Sequence, residues 1–197
     1  MSGAAVLDGT IDMSGAHGVY QNCYPSGGGA GGSIWISVGT LMNSDGQLLV
    51  NGGFGATGSG HGGSGGRIAL TCSVAHSYAS DSWSDWRLRF SATGGGRTAQ
   101  VHAPYAAPGT VYVDCGSRNR SLWVDNGVAG RTAMPAYVLD DATSYALREV
   151  RGTRGGTLTW LAMSGSNSTT VSVSALSGDA SATLTLGDRV IMLLASR

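Results

Sequence analysis

Residues 61–70 read HGGSGGRIAL, and residues 27–36 read GGGAGGSIWI. Both place a run of glycines directly before a short apolar segment. A third stretch, PGTVYVDC at 108–115, leaves its turn at Gly109 and continues the same way. Aligned without gaps, GGSIWISV (31–38), GGRIALTC (65–72) and PGTVYVDC share one alternation. One parity holds Ile34, Ile36, Val38; Ile68, Leu70, Cys72; Val111, Val113, Cys115. The other holds Ser33, Trp35, Ser37; Arg67, Ala69, Thr71; Thr110, Tyr112, Asp114. A period of two is the signature of a half-buried strand, so the apolar parity is expected to face inward.

A second set reads GTIDMSG (9–15), GQLLVNG (46–52), WRLRFSA (86–92) and RSLWVDNG (120–127). Its inward parity is Ile11, Met13; Leu48, Val50; Leu88, Phe90; Leu122, Val124. Its outward parity is Asp12, Leu49, Arg89 and Trp123. The two sets alternate along the chain, and the first repeat advances by 34 residues and then by 43. No segment between them carries a 3.6-residue period. This order predicts short parallel strands stacked turn on turn, because one turn alone cannot bury its apolar face but a stack shares a continuous core. The expected fold is all-β, a right-handed parallel β-helix (solenoid) with Gly-rich corners.

Residues 1–132 are assigned to these turns, and residues 133–197 to further strands that continue or cap them. TLTWLAM (157–163), TTVSVSAL (169–176), ATLTL (182–186) and RVIMLL (189–194) alternate as strands. ALREV (146–150) reads as a short strand or a helical turn. Connections as short as SGDAS predict a hairpin-rich C-terminal end, since parallel pairing needs a longer return. The glycines are expected at sharp corners, with positive φ and close approach between turns. The run from Gly52 to Gly66 reads as an outward loop or a stacked irregular arch, with a flexible linker as the competing reading.

Composition narrows the function classes. Of 197 residues, 33 are Gly and only 12% are charged, with formal net charge zero. The basic side chains are all Arg, and Glu149 is the one glutamate. Such a chain offers no basic face for phosphates, so nucleic acid is not an expected partner. Four Pro, five Trp and seven Tyr argue for a packed chain over a disordered one. No window has the ~18 apolar residues of a membrane span. MSGAAVLDGT does not read as a signal peptide; a secreted protein would have lost its leader, or the chain is a piece of a longer one.

The strings GGAGGSIWI, GSGGRIAL and PGTVYVDCGSRNRSLWVDNG resemble repeats of large secreted or surface β-helix proteins of microbes and protists, including filament or mastigoneme-type proteins. The likeness covers roughly residues 7–127 and is to the pectin-lyase-like fold; the tail has no counterpart. It implies an extracellular or cell-surface location and hosts lyases, hydrolases, adhesins and fibres alike. Lyases of this kind would need clustered acidic Ca²⁺ ligands beside an Arg or Lys base. Here Asp12, Asp114, Asp125, Arg67 and Arg89 fall on different turns. The close pairs Asp81/Asp85 and Asp140/Asp141 lie in loop-like stretches where acids cap turns.

The four His residues 17, 61, 76 and 102 are isolated, no CxxC or HxxxH spacing exists for zinc, and GGFGATGSG lacks the GK[ST] of a phosphate loop. We therefore expect no enzyme, no cofactor and no metal site. The expected function is a structural or adhesive module that associates with itself or with neighbouring domains, and that can stack end to end as a fibre. The alternatives are a polysaccharide lyase or hydrolase, or a carbohydrate-binding module.

Candidate contact residues are Trp83, Trp86, Trp35 and Trp123, which could stack on sugar rings or pack against a neighbouring protein; the bland reading folds a Trp over the end of the coil. The alignment puts Cys72 and Cys115 at one register on adjacent strands, which are about 4.8 Å apart, within disulfide reach. They form a bridge or stack as two small apolar side chains. Cys23 is free or paired elsewhere. Asn119 and Asn167 begin N-glycosylation sequons. The T-x-T pairs Thr157/Thr159 and Thr183/Thr185 are too few for an ice-binding array.

Overall fold

The computed structural model describes residues 3–22, 24–42, 44–58, 60–75, 87–96, 106–115, 120–127, 135–140, 144–162, 169–187 and 190–194. Among them there is no helix, and the chain is all-β with mostly parallel sheets, none of which closes on itself.

The described residues form sixteen strands: β1 Ala4–Ala5, β2 Thr10–Asp12, β3 Tyr20–Gln21, β4 Tyr24–Pro25, β5 Ser33–Leu41, β6 Gln47–Leu49, β7 Arg67–Ala75, β8 Arg89–Ser91, β9 Thr110–Cys115, β10 Ser121–Asp125, β11 Ala136–Asp140, β12 Ser144–Thr153, β13 Thr157–Ala162, β14 Thr169–Gly178, β15 Thr183–Leu186 and β16 Val190–Leu194. The largest sheet has eight strands in the order β1-β5-β7-β9-β10-β12-β14-β16. Two three-stranded sheets, β2-β6-β8 and β11-β13-β15, accompany it.

The register is the one the alternation demands. Ile34 pairs with Ile68 and Ile68 with Val111, and Val38 leads through Cys72 to Cys115. Ile11, Leu48 and Phe90 align across the second sheet. Ile34, Ile68, Leu70, Val111 and Val113 are buried together with Leu48, Val50, Leu88 and Phe90, so β5, β7 and β9 share one apolar core with β6 and β8. A disulfide joins Cys72 to Cys115, with Cα atoms 4.5 Å apart.

RSLWVDNG departs from expectation. It does not extend the β2-β6-β8 sheet. Its strand β10 turns back antiparallel against β9, pairing Leu122 with Tyr112 and Trp123 with Val111. Opposed residues of an antiparallel pair point to the same face. Leu122 and Val124 therefore enter a second core with Val150, Leu158, Trp160, Val171 and Val173, against which Tyr112 packs. Trp123, expected outside, packs instead on the first core and donates its Nε1–H to Thr153 Oγ1 at 3.1 Å. The eight-stranded sheet thus carries one core on one face up to β9 and another on the opposite face from β10 onward.

The tail is also corrected. β10, β12, β14 and β16 pair in parallel, as do β11, β13 and β15. A connection such as 179–182 can be short because it joins strands of two different sheets across a core. It turns a corner and closes no hairpin.

The glycine runs are hydrogen-bonded structure. Six extended segments, at 13–18, 26–32, 50–56, 60–66, 92–96 and 106–109, lie in two rows. Gly15 and Gly18 donate to the carbonyls of Asn51 and Phe54, and Gly52 and Gly55 to those of Thr93 and Gly96. Gly28 and Gly31 donate to His61 and Ser64 in the other row. Between rows, Gly29 and Gly32 donate to Ala16 and Met13, Gly53 to Gly29, and Gly63 and Gly66 to Gly53 and Val50. Each set of donors recurs every third residue, the period of a polyproline-II-like helix. In 50–56, Gly52 and Gly55 donate along the row, Gly53 and Ala56 to the other row, and Asn51 and Phe54 outward to the side chains of Ser14 and His17.

Close approach is what excludes side chains here. A Cβ on Gly53 would lie 2.0 Å from the carbonyl oxygen of Ala16, and one on Gly63 2.0 Å from that of Gly29. Positive φ, the other expected reason, is confined among the described glycines to Gly58, Gly127, Gly155 and Gly178. Residues 52–56 and 60–66 are therefore stacked on their neighbours, as the arch reading expects.

Candidate functional site

Strand alternation leaves one face of β5, β7 and β9 outside the first core. Three rows of side chains cross it: Ser33–Arg67–Thr110, Trp35–Ala69–Tyr112 and Ser37–Thr71–Asp114. Trp35 is 81% exposed. Tyr112, two strands away and so roughly 10 Å distant, is half-buried where the second core begins. The small Ala69 between them keeps the floor flat.

The change of core face makes a step in this surface. Pro135 and Ala136 stand beside Arg67, Pro108 and Thr110 and enclose a groove of about 200 Å³. The Tyr112 hydroxyl donates to Asp114 Oδ2 at 3.4 Å. Burial, reinforced by the Asp114 charge, pushes the Tyr112 phenol above its ordinary value. The phenol remains a neutral donor at physiological pH. The floor can stack a planar or ring-shaped group on Trp35 and Tyr112 and hydrogen-bond it through Arg67, Asp114 and the hydroxyls.

A second cavity of about 290 Å³ opens between the sheets of the second unit, lined by Val124, Val150, Leu158, Leu176, Ala182 and Leu184. At the nearby corner Arg154 forms an ion pair with Asp125 and donates its backbone N–H to Asp179 Oδ2 at 2.5 Å. The Ser181 hydroxyl, followed by the Arg154 N–H, holds the Asp179 carboxyl below its usual range.

The remaining sequence candidates separate. Asp12 caps its own turn by accepting the Ser14 N–H at 2.8 Å, and Asp125 belongs to the Arg154 pair. His17 Nδ1 accepts the Phe54 N–H at 2.9 Å. Among the described residues no group of three His, Cys, Asp or Glu side chains is placed to hold a metal ion. No helix among the described residues is long and apolar enough to cross a membrane. Trp83, Trp86, Asn119, Asn167, Cys23, His76, His102, Asp81, Asp85 and Asp141 lie outside the described residues.

Sequence reasoning missed the role of Asn51. Its Oδ1 accepts from Ser91 Oγ at 2.6 Å, from Thr93 N–H at 2.9 Å and from Thr93 Oγ1 at 3.0 Å. The Asn51 N–H is itself met by Ser14 Oγ at 3.0 Å. Ser14, Asn51 and Thr93 are thus the outward positions of successive segments, with Ser14 capping the outward N–H of Asn51 and Asn51 that of Thr93. The gapless match of SGAHG (14–18), NGGFG (51–55) and TGGG (93–96) was the available signal.

Comparison with known proteins returns no matching family model, no matching curated protein and no matching solved structure.

Proposed function

We propose that this chain is a non-catalytic structural and adhesive module of an extracellular or cell-surface protein, built as a right-handed parallel β-helix. The observation that carries the reading is the glycine net. It commits long stretches of chain to backbone–backbone hydrogen bonds and close packing, which yields a stiff, side-chain-poor body. The register of Ile34, Ile68 and Val111 supports stacked turns. At β9–β10 the strand direction and the core face reverse together, and the two reversals cancel, so both units keep one hand of winding. Parallel crossovers favour the right hand. The Cys72–Cys115 bridge supports an oxidising compartment.

Two measurements test this. Native-state hydrogen exchange is expected to find the amides of Gly52, Gly53 and Gly63 among the slowest in the chain; rapid exchange there would defeat the structural reading. Incubation with acidic polysaccharides, followed by absorbance of unsaturated products and by reducing ends, is expected to show no turnover. Turnover lost in Asp114→Asn or Arg67→Ala would establish the carbohydrate-active alternative.

A second reading rests on the exposure of Trp35. The stepped face would serve as the adhesive surface by stacking sugar rings. Glycan-array binding abolished by Trp35→Ala would support it, and binding unchanged in that variant would remove this face from consideration.

A further inference from the structure

The two ends of the glycine net differ. Within each row every hydrogen bond runs the same way, from an N–H of one segment to a carbonyl of the next segment later in the chain. The net is therefore polar along its stacking axis. At the β1/β2 end it presents acceptors: among the described residues no donor meets the carbonyls of Ser14, His17, Gly27 and Ala30. At the other end, Pro108 stands at the register of Gly31 and Gly65. Those two donate onward to Ser64 and Ala107, whereas proline has no N–H to leave unsatisfied. Gly127 also lies against Thr93 there, where a Cβ would come within 2.6 Å of its Cγ2.

The apolar side chains show the same asymmetry. Ile11 and Met13 occupy the register of Leu48 and Val50. Leu48 and Val50 are 1% and 0% exposed, whereas Ile11 and Met13 are 40% and 51% exposed. Among the described residues no strand pairs with the outer edge of β1 or β2. This end has the features of an interior layer with its outer face open.

We propose that the β1/β2 end is a docking surface for one further strand-plus-glycine segment of the same design, carried by a partner chain. That segment would lay an alternating apolar strand over Ile11 and Met13. It would direct glycine N–H groups, three residues apart, at the carbonyls of Ser14, His17, Gly27 and Ala30. Only a glycine-rich segment can do so, because the spacing within the net excludes a Cβ. A second copy of this chain is the poorer complement, since in the row of Gly31 and Gly65 its far edge carries Pro108, which donates no N–H. The proposal rests on the stacked-turn reading above and names the partner chemistry of its open end.

The probe is a synthetic peptide of residues 46–66, the chain's own next layer, titrated into the 197-residue chain. In register, its Gly52, Gly55, Gly62 and Gly65 amides would meet the four free carbonyls. We expect saturable one-to-one binding. A peptide with Gly52, Gly53 and Gly55 changed to Ala should bind at least about tenfold more weakly. Met13→Arg, on an already exposed side chain, should weaken the native peptide similarly while leaving the thermal unfolding of the protein unchanged. No saturable binding, or equal binding of the alanine peptide, overturns the proposal. So does a dimer in sedimentation that Met13→Arg makes monomeric, because the occupant is then a second copy. Polysaccharide turnover would defeat the non-catalytic function without touching this result, and absent peptide binding would leave the non-catalytic function standing.

Discussion

Gly53 and Gly27 are chemically identical and differ in what surrounds them. A Cβ at Gly53 meets the Ala16 carbonyl oxygen at 2.0 Å, whereas one at Gly27 meets the His61 carbonyl oxygen at 3.3 Å. Gly53→Ala must therefore push two backbone segments apart. We expect it to destabilise the protein by about 3 kcal/mol or more, at the upper end of overpacking costs, and Gly27→Ala to change stability by less than about 1 kcal/mol. Chemical denaturation of the two variants checks both. Asp12 carries a pH dependence. Its carboxyl is held below 3.8 first by the Ser14 hydroxyl and then by the Ser14 N–H. A depressed folded-state value means that the capping contact is fully present above the unfolded value of about 3.9 and is lost as pH falls through the lower folded value. The Ser14 amide resonance is expected to titrate with a midpoint below the ordinary aspartate value. A midpoint above it would contradict the cap.

The outward ladder belongs to the scale of the element. Extended threefold segments leave one N–H in three without a backbone partner, and Ser14, Asn51 and Thr93 lie where side chains close that gap. Asn51→Ala removes the acceptor for three donors at once. At about 1 kcal/mol per bond we expect a loss near ~2–3 kcal/mol, with faster exchange of the Thr93 amide as the local readout. The disulfide ties β7 to β9 across a separation of 43 residues. A chain-entropy treatment assigns a loop of that length about 4 kcal/mol. The double variant Cys72→Ala/Cys115→Ala should lose a comparable amount, measured against the oxidised protein by denaturant titration.

For the whole molecule the decisive junction is β9–β10. Tyr112 sits on a strand of the first core and packs on the second, and Trp123 does the converse. The two units are therefore stitched through a shared sheet by reciprocal aromatic anchors. Trp123→Ala is expected to cost ~3 kcal/mol, in the range for large-to-small changes at packed sites. It should also separate the unfolding of residues near Leu70 from those near Val171, read by residue-resolved hydrogen exchange. Coincident loss of protection at both places in the variant would show that the coupling does not run through this side chain.

The strands and their inward faces were legible because a period of two is written in the residues themselves: Ile34, Ile68 and Val111 declare both a face and a register. The Cys72–Cys115 proximity followed from that register. Two other features depended on tertiary structure. LWVD at 122–125 alternates identically whether it joins the β2-β6-β8 sheet or turns back on β9, since alternation specifies a strand and not its neighbour. Its direction, the move of the core to the other face and the burial of Trp123 all followed from the pairing with β9. The glycines announced crowding or turning with equal force. Only the assembled segments decide for crowding, because a Cβ is excluded by a carbonyl that belongs to a distant part of the chain.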